Sequence, residues 1–172
     1  MLSVIVLTGY GSNAASPEAV VRTLAALVPS VVEGLVRDVT LAAPVGAPQI
    51  RDIADHAGCT LAESGSGAAL SAGFAAARGD LILVLLAGRA PGAGFSGEVA
   101  DRFEVAASRA PRSAILRAEP DKFHRRLLPA LAPVEGLIVR RPDLLPKAET
   151  FTAALRGLVT PVSLTTRLRR VG

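Results

Sequence analysis

Short apolar runs alternate with helix-period segments along the first half of the chain. Ser3 to Leu7, Val36 to Ala42, Cys59 to Ala62 and Leu81 to Leu86 read as strands. They are short and rich in Val, Ile and Leu, as strands covered on both faces are. Between them the period changes. Ser16 supplies an N-cap, Pro17 suits the first helical position, and Glu18 falls in the first turn. Val20, Val21, Leu24, Leu27 and Val28 then recur at helical spacing, predicting a helix buried along that stripe and ended or kinked by Pro29. Ile50, Ile53, Ala54 and Ala57 predict a second helix, stopped by Gly58. Leu70, Phe74 and Ala77 predict a third, built from small residues and stopped by Gly79.

The loops fall between these elements. Thr8 to Ala15 is polar and glycine-rich, Ala43 to Pro48 holds two prolines and a glycine, and Ser64 to Gly67 turns the chain. Beyond Leu86 the period reads less cleanly. Phe95, Val99, Phe103 and Ala106 suggest a helix, and Ser113 to Arg117 and Gly136 to Val139 suggest strands. Pro120 to Pro133 is irregular, with a short helix at Lys122 to Leu128. Ala148 to Leu158 reads as helical and Val162 to Thr166 as a last strand. Strand and helix alternating at short intervals make βαβ units and a parallel sheet. The expected fold class is therefore α/β, a mostly parallel sheet with helices on both faces.

Composition narrows this. The chain has 172 residues, half of them apolar, which suits one domain with a sizeable core. Aromatics are only 3% and Trp is absent, so aliphatic side chains must build the core. The net charge of +4 comes largely from late residues: Lys122, Arg125, Arg126, Arg140, Arg141, Arg167, Arg169 and Arg170. They form a solvated basic face or attract phosphate groups, an anionic membrane surface or a partner protein. Nucleic acid is not expected, because no aromatic residues interleave with the basic ones. Cys59 is the single cysteine, which fits a reducing cytoplasm. The longest apolar run is far short of the roughly 20 residues that span a bilayer. The oligomeric state is not legible.

Several segments resemble a known family. Ser3-Val-Ile-Val-Leu-Thr8 and the helix ending Arg22-Thr-Leu-Ala-Ala-Leu27 resemble the opening of family 2 glycosyltransferases of the GT-A fold. Val36-Arg-Asp-Val-Thr-Leu-Ala-Ala43 resembles their second strand. Gly65-Ser-Gly-Ala-Ala-Leu-Ser-Ala-Gly-Phe-Ala-Ala-Ala-Arg-Gly-Asp80 resembles their third helix and the approach to the strand that carries the DXD motif. Gly136-Leu-Ile-Val-Arg-Arg141 is similar to a late strand before the acceptor-side helix. The resemblance implies a GT-A-type nucleotide-diphospho-sugar transferase domain, with residues 1–95 as the nucleotide-binding half and 96–172 as a shortened acceptor-side half.

It also implies a site at the carboxyl ends of the first four strands, where open α/β sheets hold ligands. Thr8, Gly9, Ala43, Gly67, Ala87, Gly88 and Arg89 are the candidate contacts to a nucleotide-sugar. The acids of the family are replaced. Ala42 and Ala43 stand where an Asp contacts the base, and Leu86 and Gly88 stand at the carboxylate positions of the DXD motif. Neither Leu86 nor Gly88 can ligate a hard divalent cation, so no metal cofactor is expected. Arg89 could supply a fixed positive charge to the diphosphate instead, or be an ordinary loop arginine. Glu149 or Asp143 could serve as general base, although each also reads as a solvated carboxylate.

Other patterns weigh less. Gly9-Tyr-Gly11-Ser-Asn-Ala14 spells a dinucleotide fingerprint, but the Ser16-Pro17 cap starts the helix too late and no acid ends the second strand. Gly65-Ser-Gly67 lacks the lysine of a P-loop. His56 and His124 are isolated and read as surface residues, and Ser66 and Ser71 lack a nucleophile elbow. Glu98, Asp101 and Glu104 read as a solvated helix face. Two functions remain: metal-independent sugar transfer from a nucleotide-sugar, and a catalytically inactive relative kept as a binding or assembly module. Dinucleotide binding is a minor third.

Overall fold

The structure, a computed structural model, describes residues 1–10, 13–65, 68–105, 111–120, 131–141, 150–158 and 160–171. A seven-stranded sheet organises the chain. Its strands are β1 (Leu2–Leu7), β4 (Val36–Pro44), β5 (Thr60–Ser64), β6 (Leu81–Leu86), β8 (Ser113–Arg117), β9 (Val134–Arg140) and β10 (Val162–Ser163). Two small antiparallel pairs stand apart: β2 (Gly9–Tyr10) with β3 (Asn13–Ala14), and β7 (Arg89–Pro91) with β11 (Leu168–Arg170).

The sheet order is β10-β8-β9-β6-β1-β4-β5. β1, β4, β5 and β6 are mutually parallel, as the βαβ spacing requires. β9 is antiparallel to both β6 and β8, and β10 is parallel to β8. The domain is thus α/β with a mostly parallel sheet, as expected, and β9 is the exception that reverses direction beside the central strand.

Helices cover both faces. α1 (Pro17–Val32), α2 (Pro48–Ala57) and α4 (Phe95–Ala100) pack Val20, Leu27, Ile50, Ala54, Phe95 and Val99 against Val4, Val6, Leu83 and Leu85. On the other face, α3 (Ala69–Ala76) and α5 (Phe151–Arg156) set Leu70, Phe151 and Ala154 against Ile5, Leu7, Ile82 and Val84. Successive strand residues point to opposite faces, so β1 and β6 feed both layers. All six residues of β1 are buried. Each such aliphatic side chain contributes about 1.5–3 kcal/mol.

α3 lies close to the sheet for a stated reason. A Cβ at Gly73 would stand 2.8 Å from Ile5 Cγ2 and 3.3 Å from the Ala42 methyl. Only glycine permits that approach. At the opposite end of β1 a polar knot is buried in the apolar layer. Ser3 donates to Asp38 Oδ1 at 2.6 Å and accepts the Gly79 N–H at 2.7 Å.

Several details differ from the sequence reading. Pro29 does not end α1, which runs on to Val32, where Glu33 N–H bonds Pro29 O. The buried stripe is Val20, Thr23, Leu27 and Ser30, whereas Val21 and Val28 are 49% and 54% exposed. Two hydroxyl side chains fix that rotation. Thr23 Oγ1 accepts the Gly88 N–H, and the Ser30 and Ser96 hydroxyls meet at 3.1 Å. Gly79 does not cap α3. Ala77 does, in extended conformation, and Gly79 is glycine because a Cβ would lie 2.7 Å from Ser3 Oγ.

The Thr8 to Ala15 loop contains the β2–β3 pair. The third strand starts at Thr60 rather than Cys59 and ends at Ser64. The last expected strand stops at Ser163, and a further strand, β11, follows to pair with β7. The helix at Phe95 passes into a wider turn at Asp101–Val105. The helix expected at Lys122 to Leu128 lies outside the described residues. Arg140 and Arg141 are not part of a solvated face. Arg140 donates to Phe103 O, and Arg141 donates to Ala77 O and Gly79 O, closing the end of α3. No helix among the described residues is long and apolar enough to cross a membrane.

Candidate functional site

β1 is where the strand order reverses: β4 and β5 lie on one side of it and β6 on the other. In open α/β sheets ligands are held beyond the carboxyl ends of the strands at such a point. The chain makes that rim from Thr8, Gly9, Ala87, Gly88 and Arg89. Hydrogen bonds tie its parts together. Thr8 donates both N–H and Oγ1–H to Ala42 O, at 3.0 and 3.1 Å. Ala87 N–H bonds Leu7 O at 3.0 Å, and Ala15 N–H bonds Thr8 O. Gly88, at φ +84°, adopts a backbone that side-chain-bearing residues rarely take, and its N–H bonds Thr23 Oγ1 at 2.9 Å.

The expected site residues therefore divide. Thr8 and Ala43 are buried and hold the rim from below. Gly9, Leu86, Ala87, Gly88 and Arg89 are part-exposed and face outward. Gly67 lies outside the described residues, as do Gly11, Ser66, His124, Asp143 and Glu149. His56 is exposed on α2, with Nδ1 2.6 Å from Asp52 O.

Arg89 is not a free loop cation. Its Nε lies 2.7 Å from Glu135 Oε2 and its Nη2 donates to Oε1 at 2.7 Å, a two-pronged ion pair. Both side chains are largely sheltered, at 25% and 12% exposure. Glu135 was missed in the sequence. Its signal is an acid inside the apolar run of β9, a position that acids occupy only when paired. Thr23 was missed too, a hydroxyl inside an apolar helix.

Glu98 corrects another expectation. It does not lie on a solvated face: its carboxylate accepts the N–H groups of Thr165 and Thr166 at 2.7 and 2.8 Å and the Thr166 hydroxyl at 2.7 Å. Arg102 lies 3.1 Å away. Burial raises its pKa, but the Thr165 and Thr166 donors outweigh that and hold it below the ordinary carboxylate range. Glu98 thus tethers the segment leading into β11. That strand lies along β7, and Val171 N–H bonds Gly88 O at 3.0 Å, so the C-terminal segment forms one wall of the rim. Beside the tether is a crevice of about 970 Å³, lined in part by Glu98, Asp101, Arg102, Glu119, Arg167 and Arg169.

Leu86, Ala87 and Gly88 offer no carboxylate, and no group of three or more His, Cys, Asp or Glu able to hold a metal occurs among the described residues. Of Thr8, Gly9, Ala87, Gly88 and Arg89, Arg89 is the charged one, and it is paired with Glu135.

The mostly parallel seven-stranded sheet with its one reversed strand and helices on both faces is a GT-A-like α/β fold. Solved structures share it. Glucosyl-3-phosphoglycerate synthase from Mycobacterium tuberculosis, in complex with Mn²⁺, UDP and glucosyl-3-phosphoglycerate, superposes with a TM-score of 0.62 at 16% identity, covering 99% of this chain and 72% of that one. Its complex with Mn²⁺, UDP and phosphoglyceric acid gives 0.58 at 17% identity, covering 83% of this chain; the match spans only 56% of that chain. HddC from Yersinia pseudotuberculosis, complexed with GMP-PN, gives 0.58 at 13% identity, covering 99% and 89%. No protein-family model and no curated protein matches the chain. At such identities the likeness is one of fold.

Proposed function

We propose that the protein binds a nucleotide-diphospho-sugar at the rim formed by Thr8, Gly9, Ala87, Gly88 and Arg89, and transfers the sugar without a carboxylate-held metal ion. The observation that carries this reading is the sheltered Arg89 at the carboxyl-end rim beside β1, the strand at which the sheet order reverses. A departing nucleoside diphosphate gains negative charge, which a preorganised cation stabilises. Glu135 holds the Arg89 guanidinium in a fixed plane, with donors left over for a second acceptor. It also cancels much of the Arg89 charge, so release of that pairing sets how strongly a diphosphate is held.

The test is calorimetric titration of UDP and GDP, with and without Mn²⁺. Binding of one of them should be metal-independent, weakened about tenfold or more by Arg89→Ala, and strengthened by Glu135→Gln, which removes the competing charge. No binding of either nucleotide refutes the reading. A second reading, that the chain is a catalytically inactive binding or assembly module, is favoured by the ion pair already closed on Arg89. Nucleotide binding with no release of UDP or GDP from any nucleotide-sugar would select it.

A further inference from the structure

Two arginines of the C-terminal segment line the open crevice of about 970 Å³ beside the Glu98 tether. Leu168 is 1% exposed and faces inward, so Arg167 and Arg169 on either side of it share the outer face, roughly 7 Å apart along an extended backbone. No ion pair holds either of them among the described residues. Arg167 is part-buried, and its Nη1 is sealed from solvent with no hydrogen-bond partner. A charged donor so placed is costly, and a like charge beside it adds to that cost. The acids of the crevice do not relieve it. The Glu98 carboxylate is engaged by Thr165, Thr166 and Arg102, and Asp101 and Glu119 are exposed.

We propose that this crevice binds the phosphate monoester of a small polyhydroxy compound at Arg167 and Arg169. Two guanidinium forks on one face need an acceptor with oxygens for both. A carboxylate fills one fork, whereas the terminal oxygens of a phosphate monoester serve two. Drawn toward the phosphate, the Arg167 guanidinium exchanges a covered, unpaired position for a paired one. Asp101 and Glu119 define the rest of the ligand. Exposed carboxylates accept hydroxyl hydrogens and repel further negative charge, so the remainder is neutral and hydroxylated, not a polyphosphate or a nucleic acid. The crevice has the size of a small-molecule site. Arg169 lies opposite Ala90 in the β11–β7 pair, while Arg89 is held by Glu135. The site therefore uses no residue of the nucleotide rim and does not rest on the nucleotide reading.

Calorimetric titration of the full chain with inorganic phosphate, glycerol 3-phosphate and glycerol, at fixed ionic strength, tests this. Glycerol 3-phosphate should bind with a Kd of about 1 mM or tighter, inorganic phosphate more weakly, and glycerol not at all. Arg167→Gln and Arg169→Gln should each weaken glycerol 3-phosphate about tenfold or more. Neither should lower the thermal melt of the unliganded chain, because each removes an unpaired charge, and neither should change UDP or GDP binding. Flotation with phosphatidylcholine vesicles containing phosphatidic acid is the second arm. Flotation that needs both phosphatidic acid and Arg167, without binding of glycerol 3-phosphate, would place the same phosphate on a lipid. Absence of binding to both soluble phosphates at about 10 mM and to the vesicles overturns the site. Binding that either arginine variant leaves unchanged overturns it too. Loss of nucleotide binding in Arg89→Ala leaves it standing.

Discussion

Ser3→Ala removes one oxygen from the amino end of the first buried strand, and the structure gives its cost. Ser3 is fully buried, and its hydroxyl serves two partners, donating to Asp38 and accepting from Gly79. Asp38 is part-exposed and regains water when the bond is lost, so that half costs about 1 kcal/mol. Gly79 is buried, and its N–H would have no replacement, which costs about 1–3 kcal/mol. The sum is about 2–4 kcal/mol. In a chain of this size each kcal/mol moves Tm by about 2–4 °C, so the midpoint should fall by about 5–15 °C. Urea unfolding followed by circular dichroism measures it, with the slope unchanged. Asp38→Asn should cost about 1 kcal/mol, and the double variant should show coupling of about that size. A Ser3→Ala protein within about 0.5 kcal/mol of wild type would show that the polar knot does not hold β1 to the α3–β6 turn.

Gly136→Ala should destabilise by about 1–3 kcal/mol, because a Cβ there would stand 2.9 Å from Leu168 Cδ1 and 3.3 Å from the Leu116 Cβ; denaturant midpoints report it. Glu98 gives a pH dependence. Its folded pKa lies below the unfolded value, so its contribution is present above the ordinary carboxylate range and is lost as pH falls through the folded pKa. Hydrogen exchange at the Thr165 and Thr166 amides should accelerate in that acid window, and Glu98→Gln should accelerate it already at pH 7. Thr23→Val removes the acceptor of the Gly88 N–H. It should cost about 1–2 kcal/mol, read by thermal melts, and loosen the turn beneath Arg89.

The parallel half of the fold was legible because its signals are local. Ser16 caps α1 through the Ala19 N–H, Gly58 ends α2 at φ +66°, and β6 spans Leu81–Leu86 as its apolar run demands. The rotation of α1 was not legible. Counting valines assumes the apolar side faces inward, whereas hydroxyl partners from Gly88 and Ser96, both more than sixty residues away, decide it. The grouping of the candidate rim residues was legible for the same reason. Thr8, Ala43, Ala87 and Gly88 lie at neighbouring strand ends of a parallel sheet, as the periodicity and the family resemblance together imply. The electrostatics at the rim are non-local. Arg89 and Glu135 are 46 residues apart, and their meeting depends on β9 running antiparallel beside β6, with Gly136 opposite Leu85. A parallel β9 would carry Glu135 to the amino end of the sheet. The one reversed strand therefore decides whether the rim arginine arrives with a carboxylate already attached, and with it how much positive charge is left for a ligand.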